Sequence, residues 1–222
     1  MTEPNNWPLV SIIITSYNRA QWIKKTVVSA LQQDYQNLEI IIADNNSTDN
    51  TNEVLQPFLN DSRIIFHKNE VDIGMLPNFK RATNELASGE MVTYISSDDY
   101  LVDNSFVSDA VSKFRNEKGL VVYSAVSKNH YFSSGVIEHN SAYKYKKENG
   151  LFNRVVSGKE IFKTFERSHV INFGGTVFYR EDLVRLDCFR ENNTTFADLQ
   201  TILLLALEGD FFLSDKIAYV QG

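Results

Sequence analysis

L-V-S-I-I-I-T, from Leu9 to Thr15, is an almost unbroken β-branched run. A strand with one wet face alternates apolar and polar residues. This run does not, so it predicts a strand covered on both faces, as in a parallel sheet. The same character returns in L-E-I-I-I-A (Leu38–Ala43) and M-V-T-Y-I-S (Met91–Ser96), with a short strand at Arg63–His67 and another at Leu120–Val126. Helix-spaced stretches lie between them. Gln21–Gln33 puts Trp22, Ile23, Val27, Ala30 and Leu31 on one side. Ser47–Leu59 has Ser47 or Thr48 as a cap, Pro77–Ala87 is stopped by Gly89, and Asn104–Arg115 is the fourth. Strand alternating with helix predicts βαβ units. The expected fold is α/β, a mainly parallel sheet with helices on both faces.

The alternation breaks between His130 and Asn149, which are rich in Tyr, Ser, Lys and Asn. A hairpin turning at Gly135 is expected there. Lys144, Lys146 and Lys147 read either as a solvated loop or as a rim that meets an acidic acceptor. A helix (Ser157–Phe165), a strand (Thr176–Tyr179), a helix (Leu199–Leu207) and a strand (Phe211–Tyr219) follow.

The 222 residues are 43% hydrophobic and 23% charged, ordinary globular usage that excludes disorder. A net charge of −6 gives no global attraction to nucleic acid or to anionic lipid. One cysteine, Cys188, excludes an intramolecular disulfide and a Cys-rich zinc site, and reads as a small buried apolar group. Met1–Pro8 lacks the basic start and apolar core of a signal peptide. Apolar stretches such as Ile202–Leu207 fall far short of the ~20 residues of a membrane helix. A cytoplasmic chain is expected, with peripheral membrane association left open.

In parallel sheets of this kind ligands sit outside the carboxyl ends of the strands. Ser16, Tyr17, Asn18 and Arg19 follow the first strand, Asp44 to Asp49 the second, and Ser97, Asp98 and Asp99 the fourth. Singly, each cluster reads as caps and turns, with Asp49 serving a helix dipole. Together they predict one cleft. Adjacent carboxylates such as Asp98 and Asp99 need a cation or solvent to neutralise them. A hard divalent ion, Mg²⁺ or Mn²⁺, fits, and such ions usually bridge to phosphates. His67, His130, His139 and His169 are scattered, which argues against zinc. The chain has no GxGxxG, no Walker loop and no GxSxG elbow. A nucleotide bound here would be held by side chains and a metal.

V-S-I-I-I-T-S-Y-N-R (Val10–Arg19), E-I-I-I-A-D-N-N-S-T-D-N-T (Glu39–Thr51) and G-E-M-V-T-Y-I-S-S-D-D-Y (Gly89–Tyr100) resemble, in order, the motifs of the family 2 glycosyltransferases of GT-A fold. N-F-G-G-T-V-F-Y-R (Asn172–Arg180) resembles that family's acceptor-side segment, and F-A-D-L-Q-T (Phe196–Thr201) its catalytic E-D motif. The resemblance is strongest to bacterial surface-polysaccharide enzymes, and a spore-coat member shares P-F-L-N-D (Pro57–Asp61). It covers essentially the whole chain as one GT-A domain. Residues 1–127 would form a nucleotide-binding half and 128–222 an acceptor-side half.

The resemblance implies a nucleotide-diphosphate sugar donor carrying UDP or dTDP. Thr15 and Tyr17 would line the base and ribose pocket, with Tyr17 stacking on a pyrimidine. Asp44 would accept from the base imide N–H, and Asn18, Arg19 and Ser97 would complete the nucleotide site. Asp98 would bind the divalent metal (Mn²⁺ or Mg²⁺), with Asp99 sharing the load. Asp198 would be the general base of an inverting transfer to a saccharide or lipid-linked saccharide acceptor in surface-glycan synthesis. Such an enzyme would be cytoplasmic, with a place at the inner face of the membrane left open. Gly174 and Gly175 would let backbone approach sugar or acceptor, or else form a plain turn before the Thr176 strand. Gly74 would lie near the diphosphate, and Lys80 and Arg81 either there or on the solvated face of their helix. An alternative for Asp198 is structural, a capping-box partner of Thr195.

Asn45-Asn46 replaces the family's D-G, Ser96 its first Asp, and Ala197 its Glu. Asn46 then takes the left-handed conformation usually given to Gly. The lost acids keep a rival open, a nucleotide-sugar or glycan-binding module without turnover. A nucleotidyltransferase would need a Gly-rich basic loop after the first strand, which is not found. Family members usually continue beyond the last strand seen here, so a core domain of a longer enzyme is expected.

Overall fold

The computed structural model describes residues 7–131, 133–139, 141–165, 171–190 and 197–222. Strand β1 (Val10–Ser16) lies between β2 (Leu38–Asp44) and β4 (Met91–Ser96), parallel to both, and β3 (Ile64–Lys68) extends the sheet beyond β2. The absence of a polar face in β1 has a direct cause. Ile12 and Ile14 enter one core with Ile23 and Val27 of helix α1 (Ala20–Leu31), and with Phe106 and Val107 of α4 (Phe106–Asn116). Ile13 enters the core on the other face, with Ala82, Leu183 and Leu205. The charge inside β2, Glu39, is only 8% exposed and is neutralised by donors at the start of the neighbouring strands. It accepts from Ser11 Oγ (2.6 Å), Ser88 N–H (2.7 Å) and Ser88 Oγ (2.8 Å).

The second half departs from the parallel expectation. β6 (Leu120–Tyr131) and β10 (Asp210–Gln221) pair parallel, but β9 (Thr176–Tyr179) is inserted antiparallel between β4 and β6. β5 (Tyr100–Leu101) and β8 (Arg154–Val156) also pair antiparallel with β10. The main spatial order is β3-β2-β1-β4-β9-β6-β10-β5.

Three elements differ from the sequence reading. The expected helix Ser47–Leu59 shrinks to α2 (Thr51–Leu55) and a 3₁₀ turn (Gln56–Phe58), because Ser47 and Asp49 bond loops instead and Pro57 offers no N–H. The expected helix Pro77–Ala87 starts earlier, as α3 (Met75–Arg81), and finishes in a π turn (Ala82–Leu86). The hairpin turns at Gly135 as expected and returns as β7 (Val136–His139), but α5 (Ser141–Glu148) follows it. The buried positions of α5 include Ala142 and Lys146, one turn apart, so a lysine stands where helical periodicity asks for an apolar residue. Lys146 is thus packed beneath α5 and is not part of a solvated basic cluster. The remaining helices are α6 (Gly158–Thr164), α7 (Arg180–Arg185) and α8 (Ala197–Glu208). Among the described residues no helix is long and apolar enough to cross a membrane. Cys188 is buried, and burial pushes its thiol up to about 11.

Candidate active site

The carboxyl ends of β1, β2 and β4 lie side by side. Thr15 sits in register between Ala43 and Ser96, and Ser16 opposite Asp44. The first two loops are stitched together by their own side chains. Asp44 accepts Ser47 N–H (2.7 Å) on one oxygen and Ser47 Oγ (2.5 Å) on the other. Ser47 Oγ in turn accepts the Asn18 N–H (2.8 Å), and Asn18 Oδ1 accepts the Thr48 N–H (2.8 Å). Asp49 accepts Ala20 N–H (3.0 Å) and Thr51 N–H (3.1 Å), so one carboxylate serves the first residue of both α1 and α2. Asn18 and Asn46 adopt φ of 53° and 65°, the left-handed conformation that Asn tolerates. Asn18 and Asp44, read as nucleotide ligands, are therefore engaged in closing the loops. Asp44 is 1% exposed, both its oxygens accepting from Ser47.

Asn45 is bound inward too. Its amide meets Asp72, and its Oδ1 accepts from Asn69 Nδ2 (2.9 Å) and Ile73 N–H (3.0 Å). Asn69 also donates to Asn78 Oδ1 (3.0 Å) and accepts from Arg81 (2.7 Å). This amide network holds the 69–74 segment and α3 against the end of β2. Gly74 (φ 87°) caps α3 and donates to Asp72 (2.9 Å). Lys80 pairs with Asp187 (2.7 Å), and Arg81 also with Glu85 (3.4 Å).

The third loop separates the two adjacent carboxylates. Asp99 is 4% exposed, and its carboxylate is taken by the Tyr219 hydroxyl and by Gly222 N–H (2.7 Å). Burial pushes Asp99 up to about 6, and the Asp98 charge adds to the rise while the hydrogen bonds oppose it. Thr26 of α1 braces the same turn, its Oγ1 lying 2.6 Å from Asp99 O and 3.1 Å from Ser97 O. Asp98 remains open. Its side chain is 30% exposed and faces the Arg19 guanidinium at 3.4 Å. Tyr17, 45% exposed, projects from the neighbouring loop.

Gly174 and Gly175 do permit a close approach, and the partner is Tyr219. A Cβ on Gly174 would stand 2.3 Å from two carbons of the Tyr219 ring. Gly175 (φ 75°) would place one 2.9 Å from Tyr219 Cβ. The glycine pair, Tyr219 and Asp99 thus form one stack that locks β10 to the β4 turn. Sequence reasoning missed Tyr219, Gly222 and Thr26. They lie far from Asp99 along the chain, and a tyrosine in an apolar strand looks like core.

Asp198 stands exposed in the first turn of α8, accepting the Leu199 N–H (2.8 Å). It opens on a cleft of ≈ 250 Å³ shared with Met75, Leu76, Phe79, Phe173 and Phe189. Its suggested capping partner Thr195 and the scattered His169 lie outside the described residues.

Residues 11–185 match the model of glycosyl transferase family 2. The chain belongs to this family. A relative, the UDP-Glc:alpha-D-GlcNAc-diphosphoundecaprenol beta-1,3-glucosyltransferase WfaP of Escherichia coli, is 40% identical over 116 residues, 52% of this chain and 45% of that one. The GalNAc(5)-diNAcBac-PP-undecaprenol beta-1,3-glucosyltransferase of Campylobacter jejuni is 34% identical over 106 residues, 44% of this chain and 32% of that one. The match to these curated relatives thus spans less than half of their length. In fold, the family 2 chain resembles S. aureus TarS in complex with UDP-GlcNAc, with a TM-score of 0.74 at 20% identity over 96% of this chain and 58% of that one. It also resembles a mannosyltransferase of Pyrobaculum calidifontis in complex with GDP-Man and Mn²⁺ (TM-score 0.70, 18% identity, 98% of this chain and 58% of that one). These likenesses make the fold a GT-A type, a mixed α/β sheet flanked by helices.

Proposed function

We propose that this family 2 chain transfers a sugar from a UDP- or dTDP-sugar to a saccharide acceptor carried on a lipid diphosphate, with inversion at the anomeric carbon. The observation that carries this reading is the contrast among three strand-end carboxylates. Asp44 and Asp99 are consumed by protein donors, and Asp98 alone is open, beside Arg19. Tyr17 and Thr15 border the same edge and would receive the nucleoside. Arg19 would lie against the diphosphate, and Ser97 would support the Asp98 turn. In this reading 1–127 is the donor half and 128–222 the acceptor half of one domain.

The donor set suits a divalent cation that arrives with its ligand. Among the described residues no cluster of three acidic, His or Cys side chains could cage an ion. One open carboxylate plus diphosphate oxygens and water is a common way to hold Mg²⁺ or Mn²⁺. Asp98 would be the protein ligand. Asp99, engaged by Tyr219 and Gly222, would orient its neighbour and not bind the ion. Bound there, the cation would neutralise charge on the departing diphosphate. Asp198 would take the proton from the acceptor hydroxyl as that oxygen attacks the anomeric carbon and the bond to the diphosphate oxygen breaks. The relatives named for diphosphoundecaprenol substrates support a lipid-linked acceptor at the inner face of a membrane.

One observation favours a binding module without turnover: Ser96 and Ala197 bring no acid, and Ser96 lends a hydrogen bond to Asp99. Calorimetric titration with UDP, dTDP and GDP, each with and without Mn²⁺, tests the donor site. Metal-dependent UDP binding that Asp98→Ala abolishes is expected. Equal metal-free binding of all three nucleotides, or none, would sink it. UDP-sugar turnover then separates transferase from binder.

A further inference from the structure

The β6–β7 ribbon and α5 take no part in the donor site. β6 is antiparallel to β9, and β9 to β4, so the carboxyl end of β6 lies on the same sheet edge as Asp98. Beyond it, residues 133–139 are all exposed. Tyr131 (49% exposed), Val136 (42%) and Ile137 (45%) offer apolar surface near the ribbon's end. Val136 pairs with Tyr131, and Ile137 pairs with His130. Neighbours along a strand face opposite sides, so Val136 and Ile137 cannot both be buried against one flat protein partner. A medium that surrounds the tip buries both.

Positive charge lies behind this tip. Lys128, Lys144 and Lys147 stand there against Glu138 and Glu148, in a chain of net charge −6. His139 stacks on Tyr143 of α5 at 3.8 Å between ring centres. Lys128 pairs with His139 across the ribbon, and Lys147 stands one turn from Tyr143 along α5. Lys144 is exposed on the same helix, 3.9 Å from Glu148, and Glu138 is the other acid nearby. Lys146 belongs to the packing beneath α5, over the Phe152 ring.

An apolar tip with tyrosine and lysine behind it matches the water–lipid boundary, where aromatic rings settle at headgroup depth and lysines meet anionic headgroups. We propose that the β6–β7 ribbon and α5 dock the protein on an anionic phospholipid surface, with Tyr131, Val136 and Ile137 inserted and Lys128, Lys144 and Lys147 at the headgroup phosphates. The strand-end cleft would then face that surface. This purpose rests on the proposed lipid-linked acceptor; the docking itself does not.

The test is co-sedimentation with vesicles of phosphatidylglycerol and phosphatidylcholine, against phosphatidylcholine alone, without substrate. Wild type binds the anionic vesicles and releases at high salt. V136D/I137D loses binding, and K144E/K147E weakens it about thirtyfold or more, at about fivefold per lysine removed from the surface. K144Q/K147Q, which avoids adding a charge beside Glu148, weakens it less, and all variants keep wild-type melting and UDP affinity. Equal binding to both vesicles, no binding, or unchanged binding by V136D/I137D overturns the proposal. So does a dimer in light scattering that V136D/I137D abolishes, which would give the tip to a second copy. Failed docking with intact metal-dependent UDP binding leaves the transferase reading standing.

Discussion

The loops after β1 and β2 and the segment from β7 to α8 handle polar groups in opposite ways. In the first region Asn18, Asp44 and Asp49 bond within and between these loops and Asn45 bonds the 69–74 segment, while Asp98 of the adjoining β4 loop is left outward beside Arg19. In the second, Asp198 stands exposed over an apolar cleft, and the ribbon before α5 projects. A pre-bonded edge can hold a charged ligand without further ordering, which lowers the entropic cost of binding. An open cleft suits a group that must reach and then leave a reacting atom. Under the proposed transferase reading, the difference would divide binding from chemistry within a single sheet.

The largest effect should come from Asp198→Asn. If the two regions divide the work, kcat falls about 10²–10⁴-fold while UDP affinity by calorimetry is unchanged. A fall in UDP affinity instead would break the comparison, because Asp198 would then belong to the donor side.

Lys146→Met sharpens the contrast on the second region. Burial lowers Lys146 to about 8, beneath its ordinary value. Below pH 8 the folded chain carries a buried charge, which costs about 3 kcal/mol. Above pH 8 the unfolded state binds a proton that the folded state lacks, so wild-type stability gains on the variant as pH rises toward ~10.4. Urea titrations at pH 7 and pH 10 should show Lys146→Met more stable at pH 7, with the advantage gone at pH 10. An advantage of equal size at both values would assign it to packing alone.

Tyr219→Phe tests the stack that joins the regions. The ring still packs on Gly174, but Asp99 loses a buried donor, at about 1.5–3 kcal/mol of stability. If Asp99 orients the Asp98 turn, metal-dependent UDP affinity also drops, while metal-free affinity does not. Stability loss with unchanged metal dependence would make the stack purely structural.

The parallel strands were legible because a run buried on both faces has no polar register to hide, as LVSIIIT shows. The second half was harder to read. β9 is a four-residue strand whose direction depends on its neighbours, and Lys146 interrupts the apolar stripe that would mark α5. The motifs after β1, β2 and β4 were expected to meet at one edge of the sheet and they do, since a parallel sheet brings its carboxyl ends together whatever the loops do.

By itself, then, the sequence determined the fold class and the family, both of which follow from local pattern and motif order. Only the tertiary structure decided which carboxylate is open. Asp98 and Asp99 are chemically identical neighbours, and what separates them is a hydroxyl and an amide from β10 and its end, Tyr219 and Gly222, brought in by the β6–β10 pairing. Burial and hydrogen bonding act through space, and chain order carries no trace of them until the strands are laid side by side.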